Sequence, residues 1–484
     1  MALASTRKIG VLPFLNVYTV ACLLAVGIIG FYLRLTAPDD KTGLSSLYFL
    51  MLLQLTPFML CFARGHYDFM AFIMFNHFVT YSLSKLNAVR DIIKIGPLPP
   101  IAIVAINELV LCTTLVIGGF YLSRLFLFRR FVLKSTYQML SLSRWQLLML
   151  TMYVIAMPLY IKLLPPTFVA MHFTVLAADM ALLMSSDSPG NEQLAKYLRL
   201  GVYVSCIWYF LATGALMMLG FLAGYAFIAA CLKREYKKLI GPLIMTFVAS
   251  GIQPVKVHFR MALLDNPDMP MGQRAEFLAD LIYMQYFDDT GLKAKLDEAA
   301  EDASPDSKDG EEKDANSDTL LQGFARMGDE SLERVLDMTP SKVPFWGGSS
   351  YSALPFIFIP RFIWPDKPSR HIWNDFGRTY KYLSEDDFQT SVTVNFFAEA
   401  YMNFGFFGMY CVSIFIGFLA AFIERMSYYL LGGWFYFTFL VFLAPLVQFG
   451  SDLTSIINSI FIVTSIVMGL RQQLLRMALT DDYV

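Results

Sequence analysis

The chain has 484 residues, 56% of them hydrophobic and only 16% charged, with a net charge of −1 and a mean hydropathy of +0.52. That composition excludes an ordinary soluble multidomain protein and marks an integral membrane protein. Bulk charge so close to zero gives no argument for nucleic-acid binding, so the charged residues matter by where they stand.

Crossing a hydrocarbon core of about 30 Å takes ~20 helical residues. Apolar blocks of suitable length fall at 12–33, 44–63, 67–83, 101–122, 146–164, 168–184, 200–232, 239–255, 406–422, 428–449 and 453–470. No short leader with a small-residue cleavage site stands before the first block, which is expected to remain as an anchor. The loop 123–144 carries Arg124, Arg129, Arg130, Lys134 and Arg144 without an acid, and Lys233, Arg234, Lys237 and Lys238 follow block 200–232. The positive-inside rule assigns both to the cytoplasm, and Arg7, Lys8, Arg471 and Arg476 do the same for both termini.

Two termini on one side require an even number of crossings, which eleven blocks violate. Block 200–232 is too long for one upright span at ~1.5 Å rise per residue, and Gly214, Gly220 and Gly224 offer places to break it. A split there, or a re-entrant turn at Pro165-Pro166, restores parity. The fold expected is therefore an all-α polytopic membrane protein of about 10–12 transmembrane helices. An N-terminal bundle (1–255) and C-terminal helices with a short cytoplasmic tail (406–484) would flank one large outer, periplasmic loop (256–405).

Within that loop, 273–287 sets Phe277, Leu278, Leu281, Ile282, Met284 and Phe287 at helical spacing opposite Arg274, Glu276 and Asp280. Such a helix can lie along the membrane surface or pack on the protein's own outer face. Segment 297–318 holds ten acids and two lysines without apolar periodicity and reads as a disordered insertion.

The six cysteines all fall in apolar blocks and form no CxxC or Cys/His spacing, and the five histidines are scattered. Neither a metal site nor a cofactor is expected. Walker A, GxGxxG and DxD patterns are lacking too, so nucleotide hydrolysis and soluble nucleotide-sugar chemistry are not indicated.

Chemistry is expected between Pro340 and Gly408. Ile359-Pro360-Arg361-Phe362-Ile363-Trp364-Pro365-Asp366-Lys367-Pro368 presents two fixed cations on a proline-stiffened segment. Arg361 offers a planar donor fork and Lys367 a point charge, both suited to phosphate oxygens. Arg370, His371 and Arg378 add cationic density, and Arg260, just after block 239–255, could close a phosphate site from the other side. Equally, arginines beside a bilayer often only snorkel to headgroups.

Glu399, among Phe396, Phe397, Ala398, Ala400 and Tyr401, is a carboxyl in apolar surroundings: a general base, or a structural counter-ion to an arginine. His371 is the other candidate base. Tyr401 and Asn403 could hydrogen-bond sugar hydroxyls, and Gly405 and Gly408 let the next helix start and pack closely. Inside the blocks, Glu108 and Asp179 each cost about 2.5–3.5 kcal/mol at a helix centre and need partners, in a bundle-internal ion pair or, as in a transporter, on a proton path.

The run from Tyr351 to Lys367, with Ile359-Pro360-Arg361 and Trp364-Pro365-Asp366-Lys367-Pro368, then Glu399-Ala400-Tyr401-Met402-Asn403-Phe404-Gly405 entering a span, resembles the Wzy-type repeat-unit polymerases, or O-antigen polymerases. Thr339-Pro340 and Gly347-Gly348-Ser349-Ser350-Tyr351 look like that family's lead-in to the loop. The resemblance covers roughly 339–408; insertion 297–318 departs from it.

It implies a GT-C-like membrane glycosyltransferase of a bacterial inner membrane. Such an enzyme moves a growing glycan from undecaprenyl pyrophosphate onto another lipid-linked repeat unit at the periplasmic face, without nucleotide sugar or metal. In that reading Arg361, Lys367 and Arg260 meet the pyrophosphate, with Arg370 and Arg378 adding charge. Glu399 or His371 takes the acceptor proton, and Tyr351, Trp364, Tyr401 and Asn403 hold sugars. The implied partners are the lipid-linked oligosaccharide, membrane lipids, a chain-length regulator and a flippase, with no nucleic acid. The competing classes are a flippase for the same lipid-linked glycan and an O-antigen ligase.

Overall fold

A computed structural model of the chain describes residues 41–64, 67–83, 85, 99–126, 152, 192–214, 216–252, 255–287, 331–352, 354–356, 359, 364, 372–388, 392–431, 442–447 and 452–479. Blocks 12–33, 146–164 except Met152, 168–184 with Asp179, most of 428–449 and insertion 297–318 lie outside them. The described chain is helical, with no strand among the described residues.

In chain order the helices are α1 (Lys41–Arg64), α2 (Phe69–His77), α3 (Pro100–Phe126), α4 (Glu192–Thr213), α5 (Met217–Lys233), α6 (Ile240–Ile252), α7 (Lys256–Asp265), α8 (Met271–Phe287), α9 (Ser331–Met338), α10 (Ile372–Thr379), α11 (Phe396–Leu431) and α12 (Leu453–Leu479). Among the described residues three stretches are long and apolar enough to cross a membrane: Ser45–Ala63, Pro100–Arg124 and Phe396–Ser427. Leu222–Leu232 and Leu453–Gly469 are shorter apolar helices. Block 67–83 is α2 running into a π-helical turn, Phe78–Leu83. Block 200–232 does break, at Gly214, whose φ of 68° ends α4 and which glycine adopts without the Cβ penalty.

The main core joins α1, α2, α3, α9 and α11 through fully buried Leu47, Leu50, Phe69, Met70, Ile106, Val116, Phe120, Val335, Phe397 and Met409. α3 and α11 form its axis and run parallel. Glu108 meets Tyr410, Val116 meets Gly417 and Arg124 meets Glu424, both numbers rising together.

Glycine permits the approach. A Cβ on Gly119 would stand 2.7 Å from the Ile414 carbonyl oxygen, and one on Gly417 would overlap the Val116 carbonyl and the Phe120 amide. Small residues bring helix backbones together in just this way inside membranes. Glu108, an acid expected to need a partner, accepts the Tyr410 hydroxyl at 2.8 Å.

A second cluster packs Phe210 of α4 and Leu216 against Val255, Phe259 and Leu263 around α7 and Leu278 and Leu281 of α8. So α8 does pack on the protein, while Tyr283 and Phe287 stay exposed. Arg274 departs from its expected place on the polar face. It is buried and donates to three carbonyls, those of Pro267 (2.6 Å), Met269 (2.7 Å) and Ala212 (2.9 Å). The guanidinium fork satisfies the end of α4 and the α7–α8 turn at once.

Candidate functional site: a loop strapped to the start of α11

The helix that block 406–422 announces begins ten residues earlier, at Phe396. Asn395 caps it, its Oδ1 accepting the Ala398 amide at 2.8 Å, while its Nδ2 donates to Ser331 Oγ of α9 at 3.0 Å. α12 starts the same way: Asp452 Oδ1 accepts the Ser455 amide at 2.5 Å, and Oδ2 takes the Trp373 indole N–H at 2.9 Å. Each capping side chain thus satisfies its own helix end and ties in another element.

Between these two helix starts sits Glu399, completely buried. Its Oε1 accepts the Ser350 hydroxyl at 2.7 Å, and its Oε2 accepts the backbone N–H of Leu453, the first residue of α12, at 2.8 Å. A carboxyl at a helix N-terminus is favoured by the helix dipole, and here it lies at two, those of α11 and α12. Asn403, one turn on, donates through Nδ2 to Ser350 Oγ (2.8 Å) and to the Glu399 carbonyl (2.7 Å).

Backbone bonds complete the strap. The amides of Trp346 and Gly347 donate to the carbonyls of Met402 (2.9 Å) and Asn403 (3.2 Å), and that of Gly348 donates to Asn403 Oδ1 (2.9 Å). Gly348, at φ 91°, also leaves room for Phe404, whose ring would lie 2.9 Å from a Cβ there. α11 is interrupted at Gly405 (φ 66°, ψ −157°), just past the strapped residues.

Of the sequence candidates, the structure brings together Glu399, Tyr401, Asn403 and Tyr351. The Tyr351 ring stacks on Phe404 (6.1 Å, 24°). Tyr401 is buried, donates to the Thr339 carbonyl at 3.3 Å, and contacts the rings of Phe345 (6.1 Å) and Phe406 (4.9 Å). Trp364 packs edge-on to Phe356 at 5.7 Å, on the same loop.

Arg378 is occupied within α10. It donates to Asn374 Oδ1 (2.9 Å) and Asp375 Oδ1 (2.8 Å) and covers the Phe388 ring at 4.4 Å. Arg260 belongs to the second cluster, exposed, its Cβ against Gly214. Arg361, Lys367, Arg370 and His371 lie outside the described residues.

Sequence reading passed over Ser350, Ser331 and Asp452 as partners of this site. Thr339 and Tyr380 were missed as well: their hydroxyls pair at 2.7 Å beside it. Burial raises the Tyr380 phenol above its usual value, with the Thr339 hydrogen bond opposing. No group of three or more His, Cys, Asp or Glu side chains among the described residues could hold a metal ion.

Chemically, the arrangement is a buried polar knot of Glu399, Ser350 and Asn403 flanked by the rings of Phe345, Tyr351, Tyr401, Phe404 and Phe406.

A family model described as a domain of unknown function (DUF8712) matches residues 282–479, the span that holds the strap, α11 and α12. No curated protein and no solved structure matches the chain.

Proposed function

We propose that the chain is a membrane-embedded polysaccharide polymerase, transferring a glycan from undecaprenyl pyrophosphate to a second lipid-linked repeat unit. The observation that carries this reading is the strap of 346–351 onto Glu399 and Asn403. It fixes the segment that leads, in sequence, to Arg361 and Lys367 at the start of a membrane-crossing helix, where a polyprenyl-linked anionic substrate presents its pyrophosphate and first sugars.

In the reaction the acceptor hydroxyl oxygen attacks the anomeric carbon, the bond from that carbon to the pyrophosphate oxygen breaks, and the hydroxyl proton passes to a base. Arg361 and Lys367 stabilise the charge growing on the departing pyrophosphate. Glu399, buried with both oxygens engaged, holds the strap, which leaves His371 as the candidate base. Trp364 and Tyr351 offer ring faces to sugars.

The parallel course of α3 and α11 supports the orientation. It puts Arg124, the first cation of the arginine-rich segment 123–144, at the end opposite Glu399, so a cytoplasmic 123–144 leaves the strap on the periplasmic face of a bacterial inner membrane. A total of 10–12 crossings goes with this reading.

Reconstituted protein supplied with lipid-linked repeat units and no nucleotide sugar is expected to release one undecaprenyl pyrophosphate for each unit joined. A flippase would move the substrate across the bilayer unchanged. A ligase would join glycan only to a different acceptor. Either result would replace this reading.

A further inference from the structure

At the far end of α11 a second buried polar cluster joins α2, α3 and α11. Asp68, the N-cap of α2, accepts three donors: the Ala71 amide on Oδ1 (3.0 Å), and on Oδ2 Arg124 Nη1 (3.0 Å) and the Tyr121 hydroxyl (3.3 Å). Glu424, 1% exposed, has far less. Its Oε2 accepts the Phe69 amide at 3.0 Å, while Oε1 has no hydrogen-bond partner and lies 3.8 Å from the same Arg124 nitrogen.

Two carboxyl groups therefore compete for one guanidinium, and Asp68 holds the better share. Cys61 of α1 also faces Arg124 and Tyr121, and Arg425 beside Glu424 on α11 is half-buried. Among the described residues no second cation stands within ion-pair distance of Glu424. With both carboxyls ionised the cluster would carry one uncompensated negative charge in a water-poor interior, a state that like charges sharing one site avoid by keeping a proton.

We propose that this cluster is a proton-binding site, holding one proton on Glu424 Oε1 while Asp68 and Arg124 remain paired. One proton brings two carboxyls and one guanidinium to neutrality. Its release leaves a second negative charge between α2 and α11, so the packing of these helices against α3 is linked to proton occupancy. The inference rests on this geometry alone and is independent of the polymerase reading.

Infrared spectroscopy of the purified full chain in detergent, recorded against pH, tests it. At neutral pH the wild type is expected to show a protonated-carboxyl stretch that Glu424→Gln removes. Asp68→Asn, which keeps a good N-cap residue, is expected to remove the same component, because Glu424 then takes Arg124 for itself. Tyr121→Phe leaves it in place.

The thermal midpoint gives a second readout. The folded state holds a proton that the unfolded chain gives up, so wild-type stability falls as pH rises, and Glu424→Gln flattens that slope. Identical carboxyl bands in wild type and Glu424→Gln would overturn the proposal, and so would a band that survives Asp68→Asn.

Discussion

The Glu399 carboxyl receives the Ser350 hydroxyl at 2.7 Å on one oxygen and the Leu453 amide at 2.8 Å on the other. One side chain at the start of α11 thereby fixes a loop 49 residues upstream and a helix 54 residues downstream.

Ser350→Ala should therefore cost about 1–3 kcal/mol, since it leaves buried polar atoms of Glu399 and Asn403 without their partner. Glu399→Gln should cost a similar amount, because an amide cannot accept at both ends. Thermal unfolding of the two single variants and the double variant measures the coupling. A double variant no worse than either single would show that the two residues act as one unit.

The α3–α11 contact gives a sharper contrast between adjacent residues. A methyl group at Gly119 meets the Ile414 carbonyl, whereas one at Gly118 meets nothing within 4 Å. Gly119→Ala should destabilise by roughly 1–3 kcal/mol through overpacking. Gly118→Ala should be neutral or slightly stabilising through helix propensity. Melting of the two variants in detergent distinguishes them directly.

Arg274→Met removes three hydrogen bonds to carbonyls at the turn between α7 and α8. A loss of about 1–3 kcal/mol for each carbonyl left dry sets the scale, and the damage should stay local. Limited proteolysis is expected to open the chain near α8 while the α3–α11 core remains protected.

Lys256 supplies a pH signature outside the spans. Burial, with Arg260 nearby as a second cause, lowers its ammonium below the usual 10.5. The folded state thus binds fewer protons than the unfolded chain between the lowered value and 10.5. Stability should rise across that alkaline window and gain nothing further above it. Lys256→Met should remove this rise, as read from midpoints measured against pH.

Much of this was legible in the sequence, and the exceptions share a cause. Local signals performed well: block lengths gave α1, α3 and α12, and Gly214 among three candidate glycines breaks block 200–232. Glu399 stood out as a carboxyl among aromatics. Its partners did not, because Ser350 and Leu453 reach it only through tertiary pairing that no periodicity records.

Arg274 misled for a related reason. Helical spacing put it on the polar face, and only the turn of chain around it shows three carbonyls waiting. Asp68, Arg124 and Glu424 sit at or near the ends of apolar blocks, where charge is ordinary, so nothing local marked them as one cluster. The usable hint was Asp68 directly before the apolar Phe69-Met70-Ala71, an N-cap pattern.

We propose that this chain joins lipid-linked repeat units with the cations Arg361 and Lys367, which follow in sequence the segment that Glu399 holds. The most direct measurement is product length on a gel after incubating purified protein with its undecaprenyl-pyrophosphate repeat unit, without nucleotide sugar, beside a folded Arg361→Ala variant. A ladder of longer glycans is expected from the wild type and none from the variant. Unextended substrate with the wild type, from a preparation that another polymerase extends, would contradict it.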